Sequence, residues 1–406
     1  MCNPADRSVH PIRGHASDDL VRAGEDFTAS GRVAKALTCF DAALALDPFD
    51  PRVHRGRGRA LYALRRPHEA QRSLQAAAHL GADPDALAQE LWMCAMLLGE
   101  FEQAWQVSDA VLARREAAAF NPTDKPFHLR PVWRGTPLSG RHVLVRCYHG
   151  LGDTIQFIRY MPLLRQKAAS VTIQAVPALH NLLRTVPGID RIVPLAYDAP
   201  DPPFEIDIEL MEVPYALRTR LATIPAAVPY LTVDATRIGA ARQRIAVEDG
   251  LKVGLAWAAG EWRRERSLPL DLAARLGAVP GVALVNLQRG PALAALEGAR
   301  VRPTFIDPPA AWSDDIVETA ATIRGLDLVI SVDTMVAHLA GALGAPVWTL
   351  LDHRADWRWM LDRADSPWYP TMRLFRQKAP GDWMSVVMDA SDALGALVAV
   401  NSPSAS

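Results

Sequence analysis

Paired cysteines, lysine and long apolar runs are all scarce in this 406-residue sequence. The four cysteines stand at 2, 39, 94 and 147, with no C-x-x-C and no paired spacing. Neither a disulfide framework nor a structural zinc site is supported, and a reducing compartment is expected. Lysine occurs only at Lys35, Lys125, Lys167, Lys252 and Lys378, so nearly all positive charge is arginine. Neither sign of charge dominates: 44 Lys+Arg stand against 45 Asp+Glu, for a net charge of −1. That balance argues against a partner held by phosphate charge, and no nucleic acid is expected. Residues 1–15 carry charges and prolines but no apolar core, so no signal peptide is expected. The longest apolar stretch, 335–351, is interrupted by His338, Gly341, Gly344 and Pro346 and is short for a bilayer span. It reads as a buried helix followed by a strand. No transmembrane segment is expected. The expected location is the cytoplasm, with peripheral contact at the inner membrane left open.

What is present begins with a repeat. The length calls for two or three domains. Ala36, Ala70 and Ala104 are spaced 34 residues apart. Gly24, Phe27, Gly31, Phe40, Ala43 and Pro48 surround the first, and Gly58, Leu61, Leu74 and Ala77 the second; the third keeps Gly99 and Val111. These offsets resemble the tetratricopeptide (TPR) pattern, in which small residues let two antiparallel helices pack closely and each pair stacks on its neighbour. Helical repeats are therefore expected over 17–115. A proline-rich linker follows over 116–140.

Beyond the linker the pattern changes to short strands alternating with helices. His142–Cys147 reads as a strand, Gly150–Asp153 as a tight turn and Thr154–Lys167 as a helix. Ser170–Ala175 and Arg191–Leu195 read as further strands, Pro200–Pro214 as irregular, and 235–250 as helical. A second series has strands at Val253–Ala258, Val282–Gln288, Leu326–Val332 and Pro346–Leu351, with helices at Leu270–Leu276 and Thr334–Leu343. Such βαβ logic implies parallel sheets covered on both faces. The fold class is thus helical repeats followed by two Rossmann-like domains, at 141–250 and 251–400. Ligands in such sheets bind outside the carboxyl ends of the strands.

Three clusters can carry chemistry. The turn His149-Gly-Leu-Gly-Asp-Thr154 follows a strand and opens a helix, but Ile155 stands where a dinucleotide fingerprint needs its third glycine. Asp153 is either an N-terminal helix cap or a general base at the mouth of a cleft. Ser331-Val-Asp-Thr334 places a strand end before a helix whose amino end suits a diphosphate, with Thr334 as a further hydroxyl donor. His338, one turn in, is either a core histidine or a functional one. Arg263, Arg264 and Arg266 follow the strand that ends near Trp257 and either bind a pyrophosphate or form a solvated loop with Glu261 and Glu265. The tryptophan- and arginine-rich stretch 352–377 reads mainly as architecture. No D-x-D pair is placed to bridge a metal; Asp314-Asp315 reads as a helix start.

At this point the residues resemble a known group. VISVDTMVAHLAGALGAPVW, 329–348, resembles the donor-site signature of family 9 glycosyltransferases, the heptosyltransferase-like group. GLGDTIQFIRYMPLL, 150–164, resembles that group's acceptor-side turn. DWRWMLDRADSPWYPTMRLFRQ, 356–377, is similar to a bacterial subgroup that fuses TPR units to such a domain, akin to TPR-bearing protein O-glycosyltransferases. The resemblance implies a GT-B fold and a metal-independent inverting transfer. No cofactor is implied, because the nucleotide sugar is a substrate. It implies Asp153 and His338 as the catalytic pair. On the acceptor side it implies His149, Gly150, Gly152, Thr154 and Gln156. Donor contacts would come from Arg263 or a neighbouring arginine such as Arg266, and from Asp333, Thr334, Met335, Val336 and Ala337. Met335 stands where heptosyltransferases often have glycine, which points away from ADP-heptose.

The expected activity is transfer of a sugar from a nucleotide-sugar donor to an acceptor hydroxyl. The acceptor implied is a protein bound by the TPR units, such as flagellin or another surface protein. Two alternatives stand beside it: a lipopolysaccharide or glycan-chain transferase, and a scaffold with a degenerate transferase domain. The arginines of the second repeat, Arg52 to Arg72, read either as a solvated face or as an attractor for an acidic acceptor segment.

Overall fold

The computed structural model describes residues 10–116, 132–196, 201–247, 249–306 and 315–401. The chain divides into two compact units. The first holds Met1–Asn121 together with two short stretches, Arg218–Ala222 and Asp356–Leu361; the second holds the remainder.

Six helices form the body of the first unit: α1 (His10–Ala29), α2 (Val33–Leu46), α3 (Pro51–Ala63), α4 (Pro67–His79), α5 (Pro84–Leu98) and α6 (Phe101–Glu116). They are three antiparallel pairs in the expected 34-residue register. Ala36, Ala70 and Ala104 are fully buried, as small residues at a helix crossing should be. Proline opens α3, α4 and α5, where the missing N–H needs no partner. Asp50 and Asp83 cap α3 and α5 through their side chains. Phe40 of α2 lies between Gly24 of α1 and Gly56 of α3. A Cβ at either glycine would fall 2.7 or 2.3 Å from its ring.

Five of the second repeat's arginines face carboxylates of the repeats. Arg52 binds Asp50 and Asp18, Arg57 binds Asp41, Arg66 binds Glu69, and Arg55 and Arg59 both lie within ion-pair distance of Glu90. These five arginines are engaged by acids of the repeats, with Arg55 and Arg59 sharing Glu90, which weighs toward the solvated-face reading.

Two parallel sheets lie in the second unit. The first has β1 (His142–Cys147), β2 (Ser170–Ala175), β3 (Arg191–Pro194) and β4 (Ile206–Glu209) in the order β3-β2-β1-β4. The second has β5 (Leu251–Ala256), β6 (Val282–Asn286), β7 (Leu328–Val332), β8 (Val347–Leu351) and β9 (Met372–Arg376) in the order β6-β5-β7-β8-β9. An isolated parallel bridge from Leu284 to Phe305 extends that order outside β6. The resulting order is that of a doubly wound nucleotide-binding sheet, with its switch point between β5 and β7. Helical repeats followed by two Rossmann-like parallel sheets are the expected fold class.

Several elements differ from expectation. The helix expected over Thr154–Lys167 starts earlier, as α7 (Leu151–Phe157), and then tightens to a 3₁₀ turn before Pro162. Proline lacks the N–H that would continue the ladder. The stretch read as irregular, 200–214, contains β4, whose Asp207 and Glu209 disguise it. Strand β9 and the helix Trp383–Asn401 were not legible. That helix is the one described element long and apolar enough, by length and composition, to cross a membrane. Its Trp383, Val386, Val387, Ala390 and Leu394 are buried in the core of the second sheet, while Asp389 and Asp392 face outward. Its apolar face is thereby used in packing. Asp315 caps the helix Ile316–Ile323, as its placement suggested, whereas Asp314 lies outside the described residues. Cys39, Cys94 and Cys147 are free thiols; burial pushes the Cys94 thiol up to about 12 and raises that of Cys147 further.

Candidate functional site

Each sheet presents its carboxyl ends through a turn that opens a helix. After β1, Tyr148 and His149 lead into the glycine turn, and α7 begins at Leu151. Asp153 does what a third-position carboxylate does in a capping box: Oδ2 accepts the Gly150 N–H at 3.1 Å. Thr154 and Gln156 are buried in α7 and its packing. His149 donates or accepts through Nε2 at Glu209, stacks on the Tyr148 ring 4.5 Å away, and Tyr148 donates its hydroxyl to the same carboxylate. Burial, with Glu209 adding to it, pushes the Tyr148 phenol well above its usual value. Glu209 was not singled out from sequence because its strand was not.

After β7, Asp333 ends the strand and the helix Met335–Ala342 follows. The Thr334 hydroxyl accepts the Val336 N–H at 3.3 Å and lies 3.1 Å from the Ser331 hydroxyl. That hydroxyl caps the helix rather than standing as an open donor. Val336, Ala337 and His338 are buried and Met335 is half-buried. His338 Nδ1 is 3.0 Å from the Tyr369 hydroxyl, and its Nε2 is 3.9 Å from Asp333 Oδ1.

Arg263 and Arg266, after β5, are engaged with carboxylates at the ends of neighbouring strands. Arg263 donates to Asp352 Oδ2, after β8, at 3.0 Å and to the Arg354 carbonyl at 3.0 Å. Arg266 donates to Asp333 Oδ2 at 3.3 Å. Gln288, after β6, takes the backbone N–H groups of Trp257 and Ala258 on its side-chain oxygen and ties the ends of β5 and β6 together. The structure thus gathers Arg263, Arg266, Asp333, Thr334 and His338 at the carboxyl ends of one sheet.

The two turns meet. Gly152 packs on the imidazole of His338; a Cβ at 152 would fall 2.9 Å from His338 Cδ2 and 3.6 Å from Nε2. Only a residue without a side chain allows that approach. The glycine turn after β1 and the helix Met335–Ala342, 186 positions apart from Gly152 to His338 (338 − 152), therefore border one another within the second unit.

The comparisons with known proteins give these findings. No family model matches the chain. Protein FlbA of Caulobacter vibrioides is 25% identical over 387 residues, covering 87% of this chain and 63% of that protein. The chain therefore spans 63% of the length of this relative. Among solved structures, a glycosyl transferase family 9 protein from Veillonella parvula DSM 2008 matches at a TM-score of 0.47 and 12% identity, covering 65% of this chain and 91% of that one. The E. coli ADP-heptose lps heptosyltransferase II matches at 0.47 and 13%, covering 64% and 99%. An O-GlcNAc transferase mutant from Thermobaculum terrenum matches at 0.30 and 17%, covering 96% and 86%.

Proposed function

We propose that this protein is an inverting glycosyltransferase that moves a sugar from a nucleotide-sugar donor to an acceptor hydroxyl. One observation carries the reading: a glycine turn bearing a carboxylate after the first sheet packs directly on the histidine of the helix that leaves the second sheet. A donor held by the second sheet and an acceptor reaching the first would then meet between Asp153 and His338. Asp153 takes the acceptor proton as its oxygen attacks the anomeric carbon, a role worth about 10²–10⁴-fold. The bond from that carbon to the diphosphate breaks, and the nucleoside diphosphate leaves. The amino end of the helix Met335–Ala342 and the guanidiniums of Arg263 and Arg266 stabilise its charge. These cations supply the neutralisation without a metal or cofactor. The acceptor proposed is a polypeptide presented by the helical repeats.

The test uses the full chain and a panel of nucleotide sugars. The matching donor raises the melting temperature, and at ~100 times its Kd it adds about 2.7 kcal/mol. Arg263→Met and Arg266→Met should each weaken nucleoside-diphosphate binding by about tenfold, roughly 1.4 kcal/mol, in calorimetry. Asp153→Asn should abolish transfer, and EDTA should leave it unchanged. Unchanged affinity in both arginine variants removes the donor site from the proposal; rescue of an EDTA-inactivated enzyme by magnesium removes the metal-independent mechanism. Intact-mass shifts on candidate proteins, against glycans, identify the acceptor class.

A further inference from the structure

One guanidinium at the second sheet is gripped along one side and open along the other. Arg263 lies in the 3₁₀ turn Glu261–Arg266 after β5, and its own backbone departs from that turn, at φ −143° and ψ 71°. Its Nη2 donates twice to the turn after β8, to Asp352 Oδ2 at 3.0 Å and to the Arg354 carbonyl at 3.0 Å. Hydrogen bonds of its own close that second turn. The Asp352 carbonyl accepts the Ala355 N–H at 3.2 Å, and Asp352 Oδ2 accepts the Arg354 N–H at 3.3 Å. Gln377, after β9, accepts the N–H groups of His353 and Gly381 on its side-chain oxygen, at 3.1 and 3.0 Å. The turn is therefore a fixed platform, and Arg263 is fixed on it. Arg263 Nε donates to Glu265 at 3.3 Å, and its Nη1 has no hydrogen-bond partner among the described residues.

The two carboxylates on this guanidinium differ in burial. The Glu265 side chain is 59% exposed, so water screens it, whereas that of Asp352 is 5% exposed and acts through a low dielectric. Among the described residues Arg263 is the one cation within ion-pair distance of Asp352. Drawing Arg263 away would strand a buried charge, so a ligand must come to the guanidinium. We infer that Asp352 is a positioning counter-ion, which aims Arg263 and limits how tightly it holds the leaving nucleoside diphosphate. The inference rests on the reading of this sheet as the donor site. An anion meeting Nη1 then feels the guanidinium and, behind it, the opposing charge of Asp352. That opposition lets the product leave a site whose other groups all attract it. Asp352 Oδ1 is buried and meets no hydrogen-bond donor among the described residues. Asp352→Asn can therefore keep both bonds that Oδ2 accepts and remove only the charge.

The test is calorimetry of ADP, UDP, GDP, CDP and pyrophosphate on the full chain and its variants. Asp352→Asn should bind the matching diphosphate about tenfold more tightly than wild type, the scale of one opposing charge removed from a partly screened site. Glu265→Gln, which removes the exposed charge from the same guanidinium, should stay within about twofold. Affinity in Asp352→Asn that is unchanged or weaker overturns the inference and leaves the donor site standing. An equal gain in Glu265→Gln overturns it too, because the effect would then be one of net charge. The pair itself is tested with no ligand, by thermal melting. Arg263→Met leaves a buried carboxylate without its cation and should melt below wild type; adding Asp352→Asn to it should recover most of that loss. An Arg263→Met chain as stable as wild type overturns the pairing. If the melting result holds and wild type binds none of the five ligands, the pair is real, but the donor reading falls and takes the inference with it.

Discussion

At the residue scale, the candidate site depends on what is missing from one side chain. Gly152 allows α7 to approach His338, and any Cβ there collides with the imidazole at 2.9 Å. The contact is with a ring that Tyr369 holds by a hydrogen bond, so His338 cannot swing aside without breaking it. Gly152→Ala is therefore expected to destabilise the second unit by about 1–3 kcal/mol, as overpacking does. If the proposed glycosyl transfer is the activity, it should also lower that rate far more than the loss of stability explains. Denaturant unfolding and transfer rates on the same preparation check this; a variant of wild-type stability and rate would show that the two turns do not close on each other. Asp153, Gly152 and His338 were legible because each sits in a short contiguous motif. Tyr369 was not, because a histidine's partner is chosen by space and this one lies 31 positions along the chain (369 − 338).

Helix pairs in the repeats show how size is exchanged across an element. The 34-residue register aligns Gly24 and Gly58 with Trp92, and Phe40 and Leu74 with Ser108. In the first two pairs the small residue is on the first helix and the large one on the second, with Phe40 over Gly24 and Leu74 over Gly58. In the third pair the order reverses. Trp92 of α5 packs edge-on to Trp357, 5.6 Å away, in a stretch far along the chain. The third repeat's departure from the pattern thus marks where it meets a partner other than another repeat. Phe40 is the best probe of the regular packing, because it is 1% exposed and sits between glycines of two helices that cannot fill the space it leaves. Phe40→Ala should cost about 3–5 kcal/mol. Loss of helical signal at a lower temperature than the rest of the fold would report it; a change under about 1 kcal/mol would mean that the helices collapse onto the gap.

For the whole molecule, the first unit is not the contiguous piece its repeats suggest. Arg218–Ala222 and Asp356–Leu361 belong to it. Trp105 donates to the Thr219 carbonyl at 2.7 Å, Arg218 pairs with Asp109, Met360 lies beside Gly99, and Phe101 and Trp92 flank Trp357. A chain beginning at residue 132 keeps both stretches but loses all six helices. It should expose Trp357 and Met360, bind a hydrophobic dye, and melt below the full chain. A truncated chain that is dye-silent and equally stable would show that those stretches need no helical partner. The sequence by itself determined the repeat register, the strand–helix alternation and the glycine and threonine turns. Each is set by residues within one or two turns of backbone, where sterics and capping act. The tertiary structure alone decided that Arg52, Arg55, Arg57 and Arg59 reach Asp18, Glu90 and Asp41 on other helices. It alone made 206–209 a strand, with two acidic side chains answered by Arg146, Tyr148 and His149. It also decided that Gly152 meets the imidazole of His338 and that Tyr369 holds that ring from its other side. These outcomes depend on which groups share a volume from which water is excluded, and spacing along the chain does not encode that.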